Sequence, residues 1–324
     1  MTSILVTGAA GYIGSVLTRQ LLERKYKVLG FDSLSFGGES LLGIINHPNF
    51  KFIKGDLRNI NSWEKLLNEV DAVIHLAAIV GDPACAKQTK LAEEVNWTAS
   101  KNLFDYCNKN ENIKNFIFAS TCSNYGKMDG VDYVNEDSPL KPVSFYAELK
   151  VRFERYLLDS KTRKNFIPTS LRFSTAYGIS PRMRFDLTVN DFIKEIALEK
   201  ELIIYGEKFW RPYCHVEDLA KACILVLEAD PTKIDHEVFG VGITEENYQK
   251  KMIADEILKI VPTAKIIYKH LDQDPRDYKV EFSKINKILG FTTNRRVPDG
   301  LKEVYEIVST GIISDVESSK YYNV

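Results

Sequence analysis

The sequence predicts an α/β fold, a doubly wound parallel sheet with a smaller, interleaved C-terminal domain. Short apolar runs alternate with amphipathic helical patterns through the first half of the 324 residues, as in βαβ units. The first apolar run breaks into a glycine-rich turn that leads directly into a helical pattern. Beyond about residue 173 the alternation gives way to shorter motifs. We therefore expect a sheet domain over 1–173, with return segments around 213–241, and a second domain mainly over 174–324.

The apolar patterns also locate the individual elements of this fold. Strands are expected at 4–7, 27–31, 51–54, 72–76, 116–119, 169–173 and 202–205. Helices are expected at 15–22, 61–70, 91–108, 146–160, 187–199, 216–228, 246–260, 283–289 and 298–309. Because crossovers between parallel strands are right-handed, a ligand should bind where the carboxyl ends of the strands meet.

Gly8, Gly11 and Gly14 stand between the first strand and the first helix. In this order, Gly8 permits a tight turn, Gly11 lets the backbone approach a pyrophosphate, and Gly14 lets helix and strand pack closely. Backbone N–H groups and the helix dipole favour an anion at the start of the helix. An ordinary strand-to-helix turn is the alternative interpretation, and the flanking elements count against it. The segment predicts a Rossmann-type dinucleotide site.

Asp32 ends the second apolar run, 18 residues after Gly14. This spacing is close to the ~20 residues expected for the carboxylate that binds the ribose hydroxyls of a dinucleotide. A carboxylate there repels a 2′-phosphate, and Ser33 to Ser35 follow it without an arginine. The sequence therefore favours NAD over NADP.

Composition and charge exclude several classes of function. The formal net charge of −1 argues against a nucleic-acid partner. No stretch approaches the ~18 uninterrupted apolar residues of a membrane span. Because the first strand is expected from residue 4, no signal peptide is expected. The five cysteines show neither a C-x-x-C pair nor a metal-binding spacing, so we expect reduced thiols, no metal site and a cytoplasmic location.

Tyr146 and Lys150 lie four residues apart at the start of a predicted helix and share one of its faces. A neighbouring lysine favours phenolate and is expected to lower the tyrosine pKa from about 10, which makes Tyr146 a candidate general base for oxidation of a sugar hydroxyl. Thr121 follows a predicted strand at the carboxyl edge of the sheet, where its hydroxyl can share that hydrogen bond. A solvated helix face is the alternative interpretation of the pair alone.

With these motifs the chain resembles the extended short-chain dehydrogenases/reductases of the NAD-dependent epimerase/dehydratase family, which act on nucleotide sugars and include UDP-glucose 4-epimerases. The resemblance covers nearly the whole chain. It rests on segments 7–14, 55–57, 75–78, 120–126, 146–150, 171–173 and 215–220, and on Asn96. It implies that Tyr146 is the catalytic base, Thr121 its partner, and Lys150 the residue that holds the nicotinamide ribose. It also implies a homodimer formed through helices 91–108 and 146–160.

The resemblance further implies which residues contact NAD. Asp56 and Leu57 are expected to meet the adenine, and residues 76–78 to line the phosphates and riboses. The complete set of expected cofactor contacts is Gly8, Gly11, Tyr12, Ile13, Gly14, Asp32, Asp56, Leu57, Leu76, Ala77, Ala78, Asn96, Tyr146 and Lys150.

Arginines in the second half are expected to contact the diphosphate of a nucleotide sugar. Arg211, in Arg-Pro-Tyr-Cys-His, and Arg276, in the segment 274–278, match family segments that supply such arginines. Asn190 fits the helix that approaches the diphosphate. Arg182 lies in the segment 180–187, which resembles a branch that includes GDP-heptose 4-dehydrogenases. Surface ion pairs are the alternative interpretation of Arg211 and Arg276, whereas a basic pair with Arg184 on a loop is the alternative interpretation of Arg182.

Three positions expected near the substrate depart from the family pattern. Cys122 and Ser123 stand where 4,6-dehydratases carry Asp-Glu, and Thr175 stands where Asn is common. A thiol and a hydroxyl replace carboxylic acids poorly, which argues against an ordinary dehydratase. Cys122 is either a tuned acid–base group or, as we favour, a small residue on the pocket floor.

We therefore expect an enzyme that oxidises the C4 hydroxyl of a nucleoside-diphosphate sugar by hydride transfer to NAD. The net reaction is expected to be that of a 4-epimerase or a 4-dehydrogenase. A dehydratase, or a C3 or C5 epimerase that uses the same 4-keto sugar, is the alternative. A non-catalytic NAD-binding regulator on the same fold is the rival from another class, and it would not need Thr121, Tyr146 and Lys150.

Overall fold

The computed structural model describes residues 2–127, 132–269 and 276–323. Its strands, in chain order, are β1 (Ser3–Thr7), β2 (Lys27–Asp32), β3 (Phe50–Lys54), β4 (Ala72–His75), β5 (Asn115–Thr121), β6 (Ile167–Phe173), β7 (Thr175–Tyr177), β8 (Leu202–Tyr205), β9 (Trp210–His215), β10 (Glu237–Val241), β11 (Asn247–Gln249) and β12 (Ile266–Lys269). Its α-helices are α1 (Tyr12–Glu23), α2 (Asp82–Lys87), α3 (Thr89–Ala92), α4 (Ser100–Lys109), α5 (Phe145–Asp159), α6 (Thr188–Ala197), α7 (Val216–Glu228), α8 (Lys250–Ile260), α9 (Ser283–Leu289) and α10 (Val297–Ser309). None of the helices in these three ranges is long and apolar enough to cross a bilayer.

Seven strands form one sheet in the order β10-β6-β5-β4-β1-β2-β3, and every neighbouring pair is parallel. The chain builds β2 and β3 on one side of β1 and then crosses back to β4 on the other. The crevice between β1 and β4 is therefore the topological switch point, where ligands bind in such sheets. There, the turn after Thr7 and the loop after His75 lie side by side. This order confirms the predicted doubly wound sheet.

Helices cover both faces of the sheet because its strands are apolar on both sides. In β1, Ile4 and Val6 pack with α1 and α7, whereas Leu5 packs on the opposite face with α4 and α5. The strand β10 and the helix α7 come from the second half of the chain and complete this layer. The two halves of the chain are thus interleaved, as the sequence predicted.

The remainder of the second half forms a smaller unit with its own core. It contains a three-stranded sheet, β11-β9-β7, and a two-stranded sheet, β12-β8. Helices α6, α8 and α10 enclose a separate apolar cluster. Its fully buried members include Phe185, Val189, Ile193, Ile253, Ile257, Leu301 and Val304. The domain boundaries at 173 and 174 stay a prediction.

The predicted helix 61–70 is absent from the structure. Two 3₁₀ turns, Ile60–Ser62 and Glu64–Glu69, take its place. Between them, Trp63 is buried and donates a hydrogen bond from Nε1 to the carbonyl of Leu57 at 2.8 Å. This tether turns the indole inward and interrupts a regular helix, which the apolar spacing alone did not reveal.

Two other predicted helices differ in extent. The helix expected at 246–260 begins only at Lys250, because Asn247–Gln249 pair with β9 as a strand. The helix expected at 91–108 is divided, with a π-helical stretch, Glu93–Ala99, between α3 and α4. Wider π turns are frequent at functional sites, and this one carries Asn96.

The glycine turn has the geometry expected from its sequence. Gly8 adopts φ +76°, and its N–H bonds to the carbonyl of Phe31 at 2.8 Å. A Cβ added to Gly14 would overlap the carbonyl oxygen of Gly8. Strand β1 and helix α1 therefore meet backbone to backbone, and only glycine fits at position 14.

We expect Gly14→Ala to lower the free energy of unfolding by about 3 kcal/mol, since the new methyl group must push α1 away from β1. Chemical denaturation monitored by circular dichroism measures the change. Gly43→Ala is the matched control, because a Cβ there lies at an ordinary 3.4 Å from the flexible Arg19 guanidinium. The control should change stability by less than about 0.5 kcal/mol. Equal stability of both variants would contradict the backbone contact.

Candidate active site

A cavity of about 450 Å³ opens at the carboxyl edge of the sheet, over the switch point between β1 and β4. Most of the residues that the sequence singled out line it. They are Gly8, Gly11, Tyr12, Ile13, Gly14, Asp32, Asp56, Leu57, Leu76, Ala77, Ala78, Thr121, Ser123, Tyr146, Lys150, Thr175, Arg182 and Arg276. Four others, Asn96, Cys122, Asn190 and Arg211, are not among the lining residues.

One end of the cavity is formed by the glycine turn and Asp32. The Asp32 carboxylate accepts backbone hydrogen bonds from Ala10 at 3.1 Å and from Leu34 at 2.8 Å. Burial raises the pKa of Asp32 above its usual range, and the two backbone donors and the nearby Arg182 oppose that rise. This end therefore presents a carboxylate beside the positive N-terminus of α1.

Arg182 covers the same end from the second half of the chain. Its guanidinium lies 4.1 Å from the centre of the Phe36 ring, and its Nη2 donates to Asn323 Oδ1 at 2.7 Å. Burial lowers the pKa of Arg182 to about 10, with the neighbouring Arg184 adding to the effect. Asp56, which also lines this end, forms an ion pair with Arg58 that lowers the pKa of the Asp56 carboxyl.

The other end of the cavity is formed where β5 and α5 meet. Thr121 ends β5, and its Oγ1 accepts from the backbone N–H of Ser123 at 3.1 Å. Ser144 caps the N-terminus of α5 by accepting from the N–H of Ala147, which places Tyr146 in the first turn. Lys150 follows one turn later, and its Nζ donates to the carbonyl of Ala119 at 2.7 Å. The structure thus brings the three predicted catalytic residues together.

Burial controls the electrostatics of this end. It raises the pKa of Tyr146, with Cys85, Asp82 and Tyr278 adding to the rise and Arg184 opposing it. It also lowers the pKa of Lys150 to about 8. The ammonium lies 5.9 Å from the centre of the Tyr146 ring and 4.6 Å from that of Phe118. The expectation that Lys150 lowers the tyrosine pKa below 10 is therefore wrong for the protein alone, because loss of solvation outweighs the lysine charge.

Cys122 and Ser123 point in different directions although they are adjacent. Ser123 lines the cavity, whereas the buried Cys122 donates from Sγ to the carbonyl of Arg172 at 3.3 Å. Cys122 packs with Tyr125 and Tyr278, and burial raises its pKa. The thiol is thus protonated behind the wall of the cavity.

The two asparagines that lie outside the cavity hold the loops that line it. Asn96 bonds to both backbone polar groups of Ile79, at 2.8 and 2.9 Å, and so fixes the loop after β4. Asn190 accepts from the N–H of Gly178 and donates to the carbonyl of Arg184, both at 2.9 Å. Neither side chain is placed to touch a ligand in this arrangement.

Arg211 also lies behind the wall of the cavity. Its Nη1 donates to the carbonyl of Trp210 at 2.7 Å, and its guanidinium lies 5.4 Å from the centre of the Tyr278 ring. Tyr278 itself lines the cavity. Arg276 reaches the cavity directly, and Asp274, in the same predicted segment, lies outside the described residues.

Among the lining residues that sequence reasoning did not assign to the site are Asp82, Asn323 and Tyr278. Asp82 pairs with Arg276, its Oδ2 at 3.0 Å from Nη1. The position of Asp82, six residues after the Leu76 that begins the predicted phosphate-lining loop, could have drawn attention to it. Asn323 comes from the far end of the sequence, and no local signal marks it.

In the described ranges, no three or more His, Cys, Asp or Glu side chains are grouped to hold a metal ion. Among the described residues, those that line the cavity include three tyrosines, one lysine, three aspartates, hydroxyl groups and arginines.

Residues 4–242 match the sequence profile of the NAD dependent epimerase/dehydratase family. The chain is 30% identical over 310 residues to the uncharacterised UDP-glucose epimerase YtcB of Bacillus subtilis, a match that covers 92% of this chain and 95% of the relative. Its structure is similar to that of UDP-glucuronic acid 4-epimerase from Bacillus cereus in complex with UDP-glucuronic acid and NAD, with a TM-score of 0.85, 28% identity, and coverage of 95% of this chain and 99% of that one. UDP-glucose 4-epimerase from Thermotoga maritima, solved with UDP-glucose, also gives a TM-score of 0.85, at 26% identity, covering 96% of this chain and 100% of that one.

We expect Lys150→Met to raise the free energy of unfolding of the protein alone by about 1 to 2 kcal/mol at pH 7. The lowered pKa of Lys150 means that the folded state holds its proton less tightly than the unfolded chain does. Stability therefore rises as pH increases from about 8 towards the unfolded pKa near 10.5, and the burial penalty applies below that window. Part of the gain is lost with the hydrogen bond to Ala119.

Denaturant unfolding at pH 7 and pH 10 measures this effect. The advantage of Lys150→Met should shrink at pH 10, whereas Lys51→Met, at an exposed lysine paired with Glu69, should change stability by less than about 0.5 kcal/mol at pH 7. A Lys150→Met protein that is less stable than the parent at pH 7 would show that the buried ammonium is not a burden.

Proposed function

Because the chain belongs to the NAD-dependent epimerase/dehydratase family, we propose that it oxidises C4 of a nucleoside-diphosphate sugar, as a 4-epimerase or a 4-dehydrogenase. The observation that carries this proposal is the convergence of Thr121, Tyr146 and Lys150 in one cavity with the glycine turn. The relatives described above are named as epimerases of UDP-glucose or UDP-glucuronic acid, which supports the same substrate class.

The glycine end of the cavity fits NAD. Gly8 and Gly14 form a backbone cradle that a Cβ would fill, at the N-terminus of α1. Asp32 is held by backbone N–H groups and offers its carboxylate to ribose hydroxyls, while it repels a 2′-phosphate. When bound, NAD supplies the hydride acceptor.

Tyr146 is the residue we assign to remove the proton from the C4 hydroxyl, with Thr121 sharing its hydrogen bond. The raised pKa of Tyr146 keeps the phenol protonated in the protein alone, so deprotonation needs added positive charge. Lys150 supplies part of it, because a pKa of about 8 leaves this lysine mostly charged at neutral pH. Lys150 also lies one helical turn from Tyr146, where it can hold a ribose hydroxyl.

Water elimination is disfavoured as the net reaction. The positions that carry Asp-Glu in dehydratases are Cys122 and Ser123 here, and the Cys122 thiol bonds to a backbone carbonyl away from the cavity. Neither residue offers a carboxylic acid to the sugar. Epimerisation at C3 or C5 would need a further base beside a 4-keto sugar. Ser123 and Thr175 are hydroxyls, and Asp82, the one carboxylate at this end among the described lining residues, is bonded to Ser144 and paired with Arg276. A purely regulatory NAD-binding protein would not need Thr121, Tyr146 and Lys150 together in the cavity.

For the substrate, we propose that Arg276 contacts the diphosphate and that Ser123 and Thr175 contact the sugar nucleotide from the cavity wall. Arg182, which the sequence also suggested for the substrate, lies beside Asp32 at the cofactor end and is not assigned to the sugar. Arg211 supports Tyr278 from behind and is assigned a positioning role. We propose a cytoplasmic location, because the five cysteines, all within the described ranges, are buried and free. The proposed nucleotide-sugar substrate supports a role in carbohydrate biosynthesis. Cell fractionation checks the location.

We expect Tyr146→Phe to lower turnover at least about thousand-fold, since the proton acceptor is removed. The assay incubates purified protein and NAD with UDP-, GDP-, CDP- and dTDP-sugars and analyses products by mass spectrometry and NMR. An epimer keeps the substrate mass, a 4-keto sugar has lost two hydrogens, and a dehydratase product has lost water. The same panel therefore identifies the net reaction.

Tyr268→Phe is the matched control, because Tyr268 lies on β12, is 41% exposed and does not line the cavity. It should turn over substrate at the parent rate. Undiminished turnover by Tyr146→Phe would remove Tyr146 as the base.

We further propose a homodimer formed by the face that α4 and α5 share. Tyr156 of α5 packs edge-on against Trp97 and Phe104, so the two helices form one rigid surface. Light scattering at micromolar concentration should give twice the 36.9 kDa of one chain. A monomer under these conditions would contradict this assembly without affecting the assignment of the cavity.

A further inference from the structure

Asp82 occupies a central position at the catalytic end of the cavity. It begins α2, directly after the loop that leaves β4, and lines the same cavity as Tyr146. Its Oδ1 accepts from Ser144 Oγ at 2.7 Å, and its Oδ2 lies 3.0 Å from Nη1 of Arg276. Ser144 also caps α5 two residues before Tyr146. The carboxylate is thus fixed next to the residue assigned to bind the sugar C4 hydroxyl.

Asp82 differs from the other acidic residues of the cavity. Among the described lining residues, three are acidic, Asp32, Asp56 and Asp82. Asp32 lies by the glycine turn, and Asp56 is paired with Arg58, so both belong to the cofactor end. Asp82 is the carboxylate placed with Tyr146, and its charge contributes to the raised pKa of that tyrosine.

The arginines at this end are already matched by carboxylates. Arg184 donates to both oxygens of Asp186, at 3.0 and 2.6 Å, and Arg276 pairs with Asp82. A substrate diphosphate that draws Arg276 towards itself leaves Asp82 bonded to Ser144 alone. The sugar then faces a carboxylate that accepts hydrogen bonds from hydroxyls and repels a second carboxylate.

We propose that Asp82 is a specificity-determining residue, which makes the site select nucleotide sugars with an uncharged hexose over those with a sugar carboxylate. The inference rests on the proposed function of the cavity. The inference predicts that like-charge repulsion makes the site selective. Family membership does not predict this selectivity, since one relative is named a UDP-glucose 4-epimerase and another a UDP-glucuronate 4-epimerase.

The test compares matched neutral and acidic substrates on the same nucleotide. Dissociation constants are measured with the NAD-loaded protein for UDP-glucose against UDP-glucuronate and for GDP-mannose against GDP-mannuronate. We expect the parent to prefer the neutral sugar by at least about tenfold, and Asp82→Asn to reduce that preference by about tenfold, the effect of roughly 1.4 kcal/mol of repulsion. Asp82→Glu keeps the charge and should keep the preference.

Glu237→Gln is the matched control, because it also removes a carboxylate that is paired with a cation, here Lys284, but at a place outside the cavity. It should leave the ratio of the two dissociation constants unchanged. A parent that prefers the uronic acid overturns the inference, even if Asp82→Asn does not fold. An Asp82→Asn protein that loses affinity equally for both sugars also overturns it, since Asp82 then only holds Arg276. Failure of every nucleotide sugar to bind would instead reject the proposed function itself.

Discussion

The backbone contact between Gly8 and Gly14 is the constraint on which the rest of the structure depends. It sets the start of α1 against the end of β1 and turns the first N–H groups of the helix towards the cavity. It also fixes Tyr12, whose hydroxyl donates to the carbonyl of Gly178 at 2.6 Å in the second half of the chain. One close approach of two glycines therefore positions both the cofactor end of the cavity and the loop that brings Arg182 to it.

Burial at the catalytic end of the cavity penalises the charged forms of its titratable side chains in the protein alone. Tyr146 and Lys150 are both driven towards their neutral forms, and the ammonium is satisfied by the carbonyl of Ala119 and the face of Phe118. Charges in such a poorly solvated place act strongly on each other. A poorly solvated site destabilises an isolated charge. The same site is well suited to stabilise a charge that develops between fixed groups of opposite polarity.

The sequence allowed prediction of the parts that depend on local pattern. The parallel sheet followed from the alternation of elements, and the gathering of Gly8, Asp32 and Thr121 followed from the rule that strand ends meet at one edge. Side-chain direction was not predictable in the same way. Thr121, Cys122 and Ser123 are consecutive, but the chain leaves β5 in a 3₁₀ turn that sends the thiol behind the wall. The tether of Trp63 to Leu57 and the pair of Asp82 with Arg276 join residues through tertiary packing, which no spacing in the sequence encodes.

The cations that the second half delivers to the cavity are each held by a polar partner. Arg182 donates to Asn323, Arg184 donates to Asp186, and Arg276 forms an ion pair with Asp82. An unpaired buried guanidinium would destabilise the fold, so these partners let the protein keep three arginines in one partly closed place. The partners differ in charge, however, and this difference has a chemical consequence. The Asn323 amide is neutral, whereas the Asp82 carboxylate offsets the charge of Arg276, with which it is paired through Nη1. In the function proposed above, a substrate diphosphate therefore competes with Asp82 for Arg276, and the Asp82 carboxylate stays in the cavity beside the proposed position of the sugar.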